Sequence, residues 1–267
     1  MIRIHTEGRI RSALTRAVTL VLRQRSWRAV TAEEAAILAA AAIVGLSVYF
    51  LMFPDVDIAV SRLFYRPDAG FTLAGNGVLR GLRKSSTFVM VLMLLGTVGR
   101  IVWRLNRGRT VRVRLRRLIF AVAALAVGPG LVVNLVFKDL WGRARPVQTD
   151  LFGGAGQFTP VWAPSDACQT NCSFVSGEGS GAAWMVGAAM VLTPVAWRPW
   201  ALPLMAIYGF ALSMNRLAFG GHYLSDILLS WALTAVVMAA LYRLMCGAPY
   251  RVWTPIRRGV RALSSSA

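Results

Sequence analysis

Six uncharged apolar runs constrain this chain more than any motif in it. Ala35 to Phe53, Leu118 to Phe137 and Gly179 to Trp197 each come close to the roughly 20 residues that a membrane-spanning helix needs. Ser85 to Gly99 and Pro199 to Asn215 are shorter, but each has an arginine at one end whose stem can snorkel to the interface. Ile227 to Tyr242, following Asp226, is the sixth. A composition of 56% apolar and 15% charged residues agrees. The pattern predicts an all-α polytopic membrane protein, a bundle of six transmembrane helices over 35–245. A basic arm (1–34) and a basic, Ser-ended tail (246–267) flank it. Within the arm, residues 9–30 read equally as an amphipathic helix on an anionic leaflet or as a disordered basic tail. A full-length first apolar run with no small-residue cleavage site after it argues against a signal peptide.

The formal charge of +19 raises the question of nucleic acid. The arginines cluster beside apolar runs rather than along one face, and no nucleic-acid module accompanies them, so that class is set aside. They orient the chain instead. The arm, the 100–117 segment, Arg198, Arg243 and the tail hold 21 Lys and Arg; residues 54–84, 138–180 and 216–226 hold 9. The positive-inside rule therefore predicts both termini in the cytoplasm. In a bacterial inner membrane, the other three segments would face the periplasm.

Those outward segments gather the unusual residues. "PDVDIAVSRLFYRPDAGF" reads as an interfacial piece with aromatic anchors. "KDLWGRARP" supplies Lys138 and Arg145, and "NRLAFGGHYLSD" supplies Arg216, His222 and Asp226. Taken singly, each has a structural explanation: helix-end anchors, an N-cap at Ser176, a hydrogen-bonded histidine. Taken together they make a phosphoryl site. Ser176 and Gly177 open a helix whose N–H groups favour a phosphate, and three cations surround its equatorial oxygens. His222 and Asp226, one turn apart if helical, allow the carboxylate to fix the ring tautomer and free the other nitrogen to attack.

The spacing Lys138-x6-Arg145-Pro146, then Ser176-Gly177, then Arg216-x5-His222-x3-Asp226 resembles the type 2 phosphatidic acid phosphatase superfamily, over roughly residues 130–230. That resemblance implies a six-helix membrane bundle with its active site at the outer, periplasmic interface. It implies that Lys138, Arg145 and Arg216 hold phosphate, with Ser176 and Gly177 in the oxyanion pocket. His222 would be the nucleophile, oriented by Asp226, and no metal or other cofactor is called for. The remaining histidine, His5, lies in the cytoplasmic arm.

The chain departs from the family at Val175-Ser176-Gly177-Glu178, where the usual motif is Pro-Ser-Gly-His. Three readings stay open for Glu178: the general acid in the histidine's place, a residue pairing with an arginine at the helix N-terminus, or the mark of an inactive site. "PDVDIAVSRLFY" looks like segments of bacterial lipid A phosphatases, so hydrolysis of a lipid A-type phosphate monoester through a phosphohistidine is the favoured function. Arg62 and Arg66 are candidates for a second phosphate. Undecaprenyl pyrophosphate, phosphatidylglycerophosphate and phosphatidic acid remain alternatives, as does a non-catalytic lipid-phosphate binder. A transporter is disfavoured by the scarcity of charge within the spans. The Val147–Cys172 loop reads as a lid or headgroup sensor. Cys168 and Cys172 permit a disulfide there.

Overall fold

The computed structural model describes residues 31–247. Residues 1–30 of the arm, which include His5 and the 9–30 stretch read as an amphipathic helix or a basic tail, and most of the tail lie outside them. Among the described residues the architecture is helical, and the only extended pairings are the isolated bridges Arg66–Gly70 and Thr149–Gly156.

Helix α1 (Ala32–Met52) starts with Glu33 and Glu34, which complement the helix dipole, and ends before Pro54. A short α2 (Asp55–Arg62) follows. Helix α3 (Gly77–Leu105) is capped by Asn76, whose Oδ1 accepts from the Val78 and Leu79 amides at 2.9 and 3.1 Å. It is longer than the apolar run predicted, because Arg80, Arg83, Lys84, Arg100 and Arg104 continue the helix past both ends of its uncharged stretch. Helix α4 runs unbroken over Arg112–Leu140. Its Ala126–Phe137 stretch is widened to π geometry around Gly128-Pro129-Gly130, since Pro129 offers no N–H and crowds the preceding turn.

Helix α5 (Gly177–Leu192) is the innermost, with ten buried residues, most of them Gly, Ala or Ser. Small residues let its backbone close on α6 (Arg198–Ala218) and α7 (Leu224–Cys246). A Cβ on Gly187 would lie 2.6 Å from Met238 Cε. Ser180 and Thr234 hydrogen-bond between α5 and α7 at 2.6 Å. Helix α7 also packs along α1, and a Glu33–Arg243 ion pair sets the start of α1 beside the end of α7.

Among the described residues, four helices are long and apolar enough to cross a membrane: α1, α3, α4 and α7. The other two expected spans fall short for different reasons. The helix of the Gly179–Trp197 run stops at Leu192, because Thr193-Pro194 breaks it after 16 residues. Helix α6 has 21 residues but begins Arg198-Pro199 and carries Asn215-Arg216 in its last turn.

The Val147–Cys172 loop does not hang free as a lid. Val161 is buried in a cluster with Phe50, Val133, Phe174, Val175 and Leu229, against which Trp162 packs. Trp162 Nε1 also donates to Ser47 Oγ at 2.6 Å. The Cys168–Cys172 disulfide closes the end of this loop, directly before the site.

Candidate active site

Helix α6 delivers Arg216 in its last turn, and the chain then reverses through Phe219 to Tyr223. Gly220 makes the reversal at φ +60°, and a Cβ on Gly221 would lie 2.4 Å from Arg216 Nη2. Nothing larger fits between that guanidinium and the backbone. His222 therefore sits in the turn ahead of α7, fully buried, and not on the helix that the one-turn spacing assumed.

That placement changes its partner. His222 Nδ1 lies 2.7 Å from the Ser173 carbonyl, whereas Asp226 Oδ2 is 3.9 Å away. The expected direct Asp226–His222 hydrogen bond is not made, because the ring nitrogen is already engaged by Ser173. A carbonyl only accepts, so Nδ1 carries the proton and a neutral ring keeps its lone pair on Nε2. Nε2 has no hydrogen-bond partner among the described residues, with Glu178 Oε2 the facing atom at 3.5 Å. Burial pushes the His222 pKa below its ordinary value, against the pull of Glu178, with Arg216 adding to the depression. The neutral ring is thus favoured.

Asp226 acts through Ser173. Its Oδ2 accepts from Ser173 Oγ at 2.6 Å and from the Tyr223 amide at 2.9 Å; Arg143 Nη1 donates to its Oδ1 at 2.5 Å. Arg143 is the residue the sequence reading passed over. Fully buried, it also donates to Asp57 Oδ2 at 2.9 Å, Ser225 Oγ at 2.9 Å and the Thr159 carbonyl at 2.8 Å. Its guanidinium lies 4.4 Å over the Tyr223 ring. Burial works against its charge, but Asp226 and Asp57 outweigh it and raise the pKa. Asp57 is likewise no interfacial residue. It is buried and accepts from the Ser225 amide at 2.9 Å. The available signal was an acid inside an apolar segment with no local partner, which implies a distant cation.

The phosphate-binding candidates divide. Arg145 is held by Asn171, which offers its carbonyl to Nε and Nη2 at 3.1 and 2.7 Å and its Oδ1 to Nη2 at 2.7 Å. Asn171 adopts φ +51° just before Cys172, so the disulfide-closed ring presents both acceptors at once. Lys138 directly follows the π-widened stretch of α4 beside the start of α5, its Nζ 2.9 Å from where a Cβ on Gly177 would stand. Ser176 is the N-cap of α5, accepting from the Gly179 amide at 3.1 Å, and its own amide goes to the Asp226 carbonyl at 3.2 Å. The hydroxyl is thus engaged in the cap, and it is the leading N–H groups of α5 that an anion would meet.

Glu178 lies where these groups converge. Arg83 Nε donates to its Oε1 at 3.1 Å, and Arg216 Nε lies 3.4 Å from the same oxygen. Beyond it opens a cavity of about 760 Å³ whose wall includes Arg80, Arg83, Lys84, Arg145, Glu178 and Arg216. His222, Lys138, Ser176 and Gly177 stand behind that wall. The exposed Arg62 and Arg66 are not on it; the α3 face carrying residues 80, 83 and 84 is there instead.

A single-tautomer histidine behind converging guanidinium groups and a helix N-terminus is the equipment of phosphoryl transfer on a helical membrane bundle. The comparisons reach the same class. The PAP2 superfamily matches residues 114–248. A lipid A 4'-phosphatase of Rhizobium leguminosarum is 40% identical over 210 residues, covering 73% of this chain and 89% of that protein. Proteins of the same name from Rhizobium etli and Francisella tularensis subsp. novicida are 37% and 34% identical over 209 residues, covering 73% of this chain and 81% and 90% of theirs. No solved structure matches significantly. The chain belongs to the PAP2 superfamily, and at that level it is a membrane lipid phosphatase.

Proposed function

We propose that this protein removes a phosphate monoester from a lipid A-type lipid at the outer face of a bacterial inner membrane. Six helices would cross the membrane, α5 and α6 among them, with both termini cytoplasmic. The observation that carries the reading is the Ser173 carbonyl on His222 Nδ1, which leaves the Nε2 lone pair facing the cationic site.

The phosphate takes the place the Glu178 carboxylate now holds between Arg216 and His222, with Lys138, Arg145 and the leading N–H groups of Gly177 and Glu178 on its oxygens. Cations around Glu178 favour its ionised form; an arriving phosphate dianion satisfies them and lets the displaced carboxyl take a proton. The Nε2 lone pair then forms the N–P bond as the ester P–O bond breaks, and the leaving oxygen takes the proton from Glu178. Water attacks the phosphohistidine, the N–P bond breaks, and the Glu178 carboxylate accepts the water's proton. Charge stabilisation by arginine and lysine dominates, and no step requires a metal. The names of the similar proteins support lipid A as substrate. So does the volume of a cavity whose far wall carries Arg80 and Lys84.

A non-catalytic lipid-phosphate binder is the second reading, favoured by the grip of Arg83 and Arg216 on Glu178. Phosphate release from a lipid panel by purified wild type, His222→Ala and Glu178→Gln in detergent separates the two. Wild-type release abolished in both variants supports the enzyme. Tight lipid binding by wild type without release establishes the binder.

A further inference from the structure

A second basic cavity opens at the other end of the bundle. It has a volume of about 210 Å³ and is lined by Thr97 and Arg100 of α3, Arg114 and Arg117 of α4, and Thr193 and Arg198 at the α5–α6 turn. Arg100 follows Arg83 by 17 positions on α3, roughly 25 Å of helix rise, so the cavity is remote from His222. No acidic residue lines it among the described residues. Membrane orientation alone asks only that arginines be present on this side. It does not ask three helices to aim them at one point, where like charges repel. Other arginines of the segment are disposed elsewhere: Arg107 lies 4.4 Å over the Trp103 ring.

Apolar surface continues from the cavity. Leu192 and Val195 help to line it, and Val195, Trp197 and Trp200 beside it are exposed at 62%, 67% and 77%. Exposed tryptophans next to arginines are the usual furniture of the headgroup level. Basic pockets between membrane helices on the cytoplasmic side suit anionic lipid headgroups.

We propose that the Arg100–Arg114–Arg117 cavity binds the phosphate of an anionic phospholipid from the leaflet opposite the active site. The phosphate bridges α3 and α4 to the α5–α6 turn, with the acyl chains lying along the apolar surface by Val195. This site is independent of the reaction proposed for His222.

The test uses the full-length protein in nanodiscs, where orientation is immaterial. Melting temperature is measured in phosphatidylcholine alone, with phosphatidylglycerol added, and with inorganic phosphate added to phosphatidylcholine. Wild type and Arg109→Gln, whose side chain is not in the cavity, are expected to gain several degrees from phosphatidylglycerol. Arg117→Gln is expected to lose most of that gain, with Arg117→Lys between them. Native mass spectrometry should show phosphatidylglycerol retained by wild type and not by Arg117→Gln, a readout that holds even if the variant is less stable. Equal gain and retention in wild type and Arg117→Gln would overturn the proposal. Stabilisation by inorganic phosphate but not phosphatidylglycerol, lost in Arg117→Gln, would overturn the lipid as its source.

Discussion

Asp226 reaches His222 through Ser173: the aspartate accepts the Ser173 hydroxyl at 2.6 Å, and the Ser173 carbonyl accepts His222 Nδ1–H at 2.7 Å. The carboxylate therefore positions the backbone that positions the His222 ring. Ser173→Ala keeps the carbonyl and loses only the tether, so kcat is expected to fall about tenfold with KM little changed. Asp226→Asn, which also weakens the Arg143 bond, should fall further. Steady-state kinetics on both variants checks the order; equal wild-type rates in both would contradict it.

The Arg143 guanidinium neutralises two buried carboxylates, so its removal strands them. Removing one partner of a buried pair costs about 3–5 kcal/mol, and Arg143→Leu is expected to lose at least that much by denaturant unfolding in detergent. Arg143→Lys recovers only part, since one ammonium cannot reproduce the fork on Asp57 and Asp226. Loss of under 1 kcal/mol in Arg143→Leu would show that the network carries little of the fold's stability.

Burial holds the His222 pKa down, and the proposed mechanism needs the neutral ring. Activity should therefore persist as pH falls until the lowered pKa is reached. The acid limb of kcat/KM is expected below the ordinary imidazole value of about 6.5. A limb above that value would mean the charged form is favoured in the free enzyme.

Arg145 depends on Asn171, and Asn171 on the ring closed by Cys168 and Cys172. Reduction of the disulfide is expected to raise KM by about tenfold, equivalent to ~1.4 kcal/mol of phosphate binding, with a smaller effect on kcat. A fall in kcat alone would place the ring's influence on His222 instead.

Glu178→Gln keeps the shape and removes the proton. With a lipid substrate, loss of a general acid is expected to lower kcat about 10²–10⁴-fold. A loss below threefold would return Glu178 to the role of a pairing residue at the helix N-terminus.

The helices were legible because apolar runs of membrane length have few other uses. Their ends were less so: α3 runs past Lys84 and Arg100, since snorkelling side chains let a helix continue where its uncharged stretch stops. The spacing of Lys138, Arg145, Arg216 and His222 marked the groups that the fold gathers around Glu178. The supports of that site were not readable in advance. Arg143 and Asp57 are 86 positions apart, and Arg145 and Asn171 are 26. No periodicity links such pairs; only the packed bundle does. The expected Asp226–His222 bond failed on a local point, that α7 begins after His222 rather than before it.

The most direct test of His222 as nucleophile is to trap the intermediate in Glu178→Gln with ³²P-labelled 4-nitrophenyl phosphate, whose leaving group needs no proton. Under the proposed mechanism the intermediate would form without an acid but hydrolyse slowly once the Glu178 carboxylate is removed. The expected result is acid-labile, alkali-stable label on the protein, mapped to His222 and absent in the Glu178→Gln/His222→Ala double variant. Turnover by wild type with no label on Glu178→Gln at any quench time would mean that water attacks phosphorus directly, and the account of His222 would be wrong.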